Sequence, residues 1–187
     1  MGLSVESMAI EMPAVHGHPN RAAFRGVLTI VDVASDRSPA GARGHRVLLT
    51  RRAAEAAMPS LMGMGLDYSP AFDRHDARRK IGVITRADIV GRVIEIGGFL
   101  YARDFPEIVA EIGKPRQTGA LVSTGPNHLQ SNGHAADAGL GMSYEIADAR
   151  VEDITASVWV LNRVTFTGAA VLWRDKAAYR STWIELG

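Results

Sequence analysis

The chain contains no cysteine in 187 residues, which excludes a disulfide framework, a thiol nucleophile and cysteine-ligated zinc. The same absence is compatible with a reducing cytoplasm. It also lacks any apolar run near the roughly 20 residues that a membrane-spanning helix needs. The opening Met1-Gly2-Leu3-Ser4-Val5-Glu6 brings an early acid and no basic stretch, so no export signal is expected, and Glu6 misses the usual myristoylation pattern. Charge of one sign is not in excess: 21 Lys and Arg stand against 20 Asp and Glu, and no concentrated basic stripe favours nucleic acid. The glycines form neither a phosphate loop nor a dinucleotide fingerprint.

What remains is an ordinary globular composition, 47% hydrophobic and 22% charged, at a length that suits one domain with a real core. Residues 1–22 are interrupted by Pro13, Gly17 and Pro19 and read as a flexible arm or a removable leader. Residues 23–187 then form a single domain. Gly26–Val33 is dense in β-branched and aliphatic residues, as a buried strand would be. After a turn-rich Ser35–Gly44, Val47–Leu49 reads as a short strand, and Thr50 is placed to cap a helix over Arg51–Leu61 that Pro59 disturbs.

Lys80–Thr85 and Gly91–Ile96 are expected strands separated by Arg86-Ala87-Asp88, with a bend at Gly97-Gly98. Asp104 and Glu107 have capping-box spacing for a short helix that Ile108, Val109 and Ile112 make amphipathic and Gly113 ends. Residues 114–139 are rich in Gly, Pro and Asn and read as a long loop, either covering a site or disordered. Strands follow over Leu140–Arg150 and Ser157–Phe166, with an interruption at Thr167-Gly168 and a short helix from Asp175 to Tyr179. Strands that cluster without regular helical crossovers predict an α+β fold: an antiparallel β-barrel or sheet with two or three flanking helices.

Two short stretches carry the chemistry. Phe72-Asp73-Arg74-His75-Asp76 precedes Ile81-Gly82-Val83, and Gly139-Leu140-Gly141-Met142-Ser143-Tyr144-Glu145-Ile146 opens a strand. An imidazole within reach of a serine hydroxyl can take the proton that otherwise leaves serine inert, so Ser143 and His75 are the candidate nucleophile and base. An imidazole so used needs a partner on its other nitrogen. Asp76 adjoins His75 but points away on an extended chain. Glu145 shares a strand face with Ser143, and Asn162 could orient the ring as a neutral group. The bland alternative for Glu145 is a solvated strand position, and for His75 an exposed loop histidine beside Arg74, Arg78, Arg79 and Lys80, a wet basic face or one that attracts acidic segments.

Amides near Gly141–Ser143, or in the glycine-rich loop before them, could form an oxyanion hole. His128 and His134 lack a third ligand and read as loop residues. His16 and His18 have ligand-like spacing but lie in the Pro/Gly-rich arm, and no metal is expected. Trp159, Phe166, Trp173 and Trp183 read as core or interface anchors rather than base-stacking platforms.

On these residues the chain resembles the prohead (capsid maturation) serine proteases of tailed bacteriophages over roughly positions 70 to 172. His75-Asp76 with Ile81-Gly82-Val83 is similar to the family's base motif, Leu140-Gly141-Met142-Ser143-Tyr144-Glu145 to its nucleophile motif, and Gly91–Ile112 to the segment between them. The resemblance implies a herpesvirus-assemblin-like fold and a Ser/His endopeptidase without cofactor that cuts scaffold protein and major capsid protein precursors. Such a protein works in the host bacterial cytoplasm within the assembling prohead. The resemblance implies no nucleic-acid or membrane partner, and a homo-oligomer is compatible with it. Two departures stand out: Asn162 lies where relatives often carry an acidic third member, and Ser143 is followed by Tyr-Glu rather than smaller or apolar residues. A virion structural or assembly protein that keeps the fold without peptidase chemistry is the alternative.

Overall fold

The computed structural model describes residues 5–114 and 139–187. Among the described residues the fold is α+β, a curled, open nine-stranded sheet with two α-helices. The strands are β1 (Ser7–Ala9), β2 (Ala22–Ile30), β3 (Arg46–Leu49), β4 (Gly65–Tyr68), β5 (Lys80–Val90), β6 (Val93–Leu100), β7 (Leu140–Val151), β8 (Val158–Trp173) and β9 (Trp183–Leu186). The helices are α1 (Arg51–Ala57) and α2 (Pro106–Ile112).

The sheet runs β3-β8-β4-β5-β6-β2-β9, with β1 added to β5 and β7 to β8. Most pairs are antiparallel, as expected, but β3 and β4 both pair with β8 in parallel. Because β7 follows β8 from Leu161 to Trp173, β3 and β4 share the opposite edge of that long strand one after the other. Loss of the antiparallel rule here follows from α1, which carries the chain from β3 back across β8 so that β4 can run in the same direction.

Thr50 caps α1 as expected: its side chain accepts from Ala53 N, and Ala53, Ala54 and Ala57 are buried. The helix stops at Ala57 rather than running to Leu61, and a 3₁₀ turn over Met58–Leu61 takes Pro59 in its first positions. The core gathers Leu28, Leu49, Met58, Leu66, Ile84 and Phe166, each under 2% exposed. Burial on that scale contributes roughly 1.5–3 kcal/mol for each large side chain.

Several expected boundaries are corrected. The arm is not wholly loose, since Ser7–Ala9 pairs with Arg86–Asp88 of β5. β5 runs through Arg86-Ala87-Asp88 without a break, and the turn falls instead at Gly91, whose φ of +59° favours glycine. Gly97-Gly98 is no bend: both lie inside β6, where a side chain on Gly98 would collide with the Val83 carbonyl across a register shift. Thr167-Gly168 likewise lies within β8.

Phe105, not Asp104, is the N-cap of α2 and makes no side-chain cap bond, while Asp104 accepts from Asn20 Nδ2 instead. Asp175–Tyr179 forms turns rather than a helix, and β4 and β9 are additional strands. The long loop expected over 114–139 falls almost wholly outside the described residues, as do His128 and His134.

Candidate active site

Ser143 and Glu145 sit two positions apart on β7, before the register shift between Glu145 and Ile146. At about 3.4 Å per residue they are roughly 7 Å apart along one face. Met142 and Tyr144 alternate with them and anchor the strand. Met142 is 1% exposed, and the Tyr144 ring meets Phe166 edge-on at 5.8 Å between centroids. Burial pushes the Tyr144 phenol above its ordinary value, keeping it neutral.

His75 comes from the loop joining β4 to β5, and that loop is pinned at several points. Ser69 Oγ donates to Asp73 Oδ1 at 2.7 Å and accepts from Asp73 N at 3.2 Å, and this hydroxyl holds the Asp73 carboxyl below the usual range. Phe72 is buried against Tyr68 and Trp173, and its carbonyl accepts from Trp173 N at 2.7 Å. Asp76 N then donates to Asp67 Oδ1 at 3.0 Å. Phe72 adopts φ +50°, a left-handed conformation costly for a bulky residue, which the ring's burial and these bonds offset.

So held, His75 Nδ1 lies 3.4 Å from Glu145 Oε1. Nδ1 is buried and makes no hydrogen bond, so the 3.4 Å approach is a close contact between ring and carboxylate rather than a bond. The other Glu145 oxygen lies 3.6 Å from Lys80 Nζ, and the same ammonium reaches Asp67 Oδ2 at 3.2 Å. Asp67 is fully buried on β4. Its carboxyl is held above the ordinary value chiefly by burial; the Asp76 amide lowers it, Glu145 raises it further, and Lys80 lowers it.

Ser143, His75 and Glu145 line one cleft of about 640 Å³, whose other walls include Ala42, Val47 and Trp159. That volume falls within the range of ligand-binding clefts. Ser143 is half-buried, and its hydroxyl has no hydrogen-bond partner among the described residues. The two segments singled out in the sequence therefore meet, with Glu145 as the carboxylate beside the histidine. The other proposed orienters do not join them. Asn162 is exposed on β8 and lies outside the cleft lining, and the Asp76 carboxylate pairs with Arg79 at 3.2 Å.

The amides at Gly141–Ser143 are a poor oxyanion hole. Met142 N donates to Thr182 Oγ1 at 3.1 Å, and strand alternation turns the amides of Gly141 and Ser143 toward β8. Arg74, Arg78 and Arg79 are exposed, with Arg74 among the residues that line the cleft, and Lys80 leaves that run at the first position of β5 and points into the carboxylates.

Asp67, His75 and Glu145 each present one potential metal-ligating atom, all within 4.8 Å of one another. Lys80 already lies against both carboxylates, so a metal ion would have to displace or oppose that ammonium. In the arm, His18 Nδ1 accepts from Asn20 N and His16 is exposed. Trp159 stacks on His45 at 4.6 Å, Trp173 packs on Phe72, and Phe166 is core. No helix among the described residues is long and apolar enough to cross a membrane.

Local pattern does not single out Asp67, or Lys80 as its inward-facing partner. The only signal for Asp67 is a charged residue in the otherwise apolar Leu66-Asp67-Tyr68. Comparison with protein families, with characterised proteins and with solved structures gives no match.

Proposed function

We propose that this chain is a Ser/His endopeptidase of the prohead maturation type, with the assemblin-like fold which that resemblance implies. The single observation that carries the reading is the shared cleft, in which Ser143 and His75 converge from separate segments and Glu145 approaches His75 Nδ1. With Nδ1 turned to the carboxylate, Nε2 is the nitrogen left to serve the hydroxyl.

Ser143 Oγ attacks the scissile carbonyl while His75 Nε2 takes its proton, giving a tetrahedral intermediate. Collapse of the intermediate breaks the C–N bond, and the same proton passes to the departing amine. The acyl group stays on Ser143. Water then attacks the ester with His75 again as base, releasing the acid and restoring the serine. Glu145 stabilises the imidazolium that forms twice in the cycle. Proton transfer of this kind contributes roughly 10²–10⁴-fold.

The substrates on this reading are scaffold protein and major capsid protein precursors, met inside the assembling prohead in the host bacterial cytoplasm. Incubating wild type and Ser143→Ala with such precursors under assembling conditions tests it. Cleavage by the wild type alone is the expected result, and intact substrate with both proteins contradicts it. The second reading, a virion structural protein of the same fold, is favoured by one observation: no hydrogen bond joins Ser143 to His75.

A further inference from the structure

We infer that Asp67 and Lys80 are positioning residues, forming with Glu145 a charged chain that begins at a buried carboxylate and ends at the His75 ring. The role of that chain in catalysis rests on the protease reading, but its existence does not.

The chain is built from three contacts: Asp67 Oδ2 to Lys80 Nζ at 3.2 Å, Lys80 Nζ to Glu145 Oε2 at 3.6 Å, and Glu145 Oε1 to His75 Nδ1 at 3.4 Å. Asp67 also acts on the histidine by a second route. Its Oδ1 accepts from the amide of Asp76, the residue next to His75. One buried side chain thus fixes both the loop that carries the imidazole and, through the ammonium, the carboxylate that faces it.

The backbone is shaped to admit this chain. Gly65 on β4 has no side chain where a Cβ would lie 2.6 Å from Lys80 Cδ and 3.0 Å from Cε. Gly168 on β8 has none where a Cβ would lie 2.5 Å from Glu145 Oε2. Gly168 stands opposite Glu145 in the β7–β8 register, and Leu66, the neighbour of Gly65, stands opposite Ala169. The two glycines therefore lie side by side on paired strands and leave a trough in which the Lys80 and Glu145 side chains meet.

Stability is a poor explanation for such a group. Burying a carboxylate costs free energy that its ion pair seldom recovers, and apolar replacements of buried pairs are often neutral or stabilising. Retaining Asp67 and clearing two backbone positions for its partners makes physical sense if the benefit is orientation at the cleft.

The experiment has two arms on full-length wild type, Glu145→Gln, Lys80→Met and Asp67→Asn, each checked for folding by near-UV circular dichroism. In the first, nitrogen-15 NMR of the His75 imidazole reads which ring nitrogen carries the proton. Wild type is expected to hold it on Nδ1. Glu145→Gln and Lys80→Met are expected to redistribute it, and Asp67→Asn reports the same change should Lys80→Met fold poorly. A His75 signal identical in wild type, Lys80→Met and Asp67→Asn overturns the inference whether or not the protein cleaves anything.

In the second arm, Lys80→Met lowers kcat by about 10²-fold with little change in KM, as expected when a reacting group is misplaced by an ångström. The same substitution in a Glu145→Gln background has no further effect, because its route to the histidine is already cut. Equal losses in both backgrounds contradict positioning through Glu145. An inactive wild type with an intact NMR response removes the protease reading and leaves the charged chain standing.

Discussion

Gly168 lies directly across the β7–β8 ladder from Glu145, and a methyl group added to it would sit 2.5 Å from Glu145 Oε2. The same position would be 3.2 Å from the Gly65 carbonyl, so the strand has little room to give. Gly168→Ala should therefore drive the carboxylate off its partners and strain the sheet, costing about 1–3 kcal/mol. Urea denaturation gives the stability loss, and peptide cleavage is expected to fall with it under conditions where the variant remains folded. An unchanged midpoint and unchanged cleavage would show that the Glu145 placement is not tight.

Substitution at the histidine and its partner separates their roles. His75→Ala removes the proposed base and should abolish cleavage without unfolding the chain. Glu145→Gln keeps the shape but not the charge proposed to stabilise the imidazolium, and kcat should drop on the order of 10²–10⁴-fold. Steady-state kinetics on one precursor peptide checks both. Full activity of Glu145→Gln would assign the carboxylate a purely structural part.

The loop that presents His75 depends on one ring. Phe72 is buried against Tyr68 and Trp173 at 5.6 Å between centroids in each case. Phe72→Ala should cost about 3–5 kcal/mol, the usual range for losing a buried phenylalanine. Hydrogen exchange should quicken first in residues 69–79. Exchange that quickens evenly over the sheet would mean that the ring supports the core rather than the loop.

Asp67 gives stability a pH dependence of definite sign. Burial holds its folded-state carboxyl above the ordinary 3.8, so between that value and the raised one the folded chain binds more protons than the unfolded chain. Stability from this group is then fully present below 3.8 and is lost as pH rises through the raised value. Relative to Asp67→Asn, wild type should become less stable on going from about pH 3 to about pH 7, where carboxyl groups lose their protons. Paired denaturation curves across that interval measure the difference, and a rising difference would contradict the burial argument.

The sequence made the α+β class, the Thr50 cap and the pairing of Ser143 with Glu145 legible, because each rests on local spacing: a cap acts within three residues and strand faces alternate by two. Glycine is where local pattern and structure part. At Gly97-Gly98 and Gly168 the local pattern suggests a break, but the residue serves close approach between strands, a property of partners 11 to 23 positions away.

Parallel pairing of β3 and β4 with β8 was equally hidden, since nothing local records which distant strand a four-residue segment will join. Asn162 lies away from the cleft for a simpler reason. Its neighbour Leu161 faces the core, so alternation turns Asn162 outward. Asp67 and Lys80 were missed because a short polar-interrupted strand resembles a loop, and a lysine after two arginines resembles a solvated run.

The most direct test is covalent labelling of the serine itself. A fluorophosphonate reacts with a hydroxyl that a neighbouring base has activated, and peptide mass mapping then locates the adduct. Wild type is predicted to carry the phosphonyl group on Ser143, with labelling abolished in Ser143→Ala and strongly slowed in His75→Ala. A folded wild type that stays unlabelled at Ser143, or that labels equally well without His75, would contradict the account.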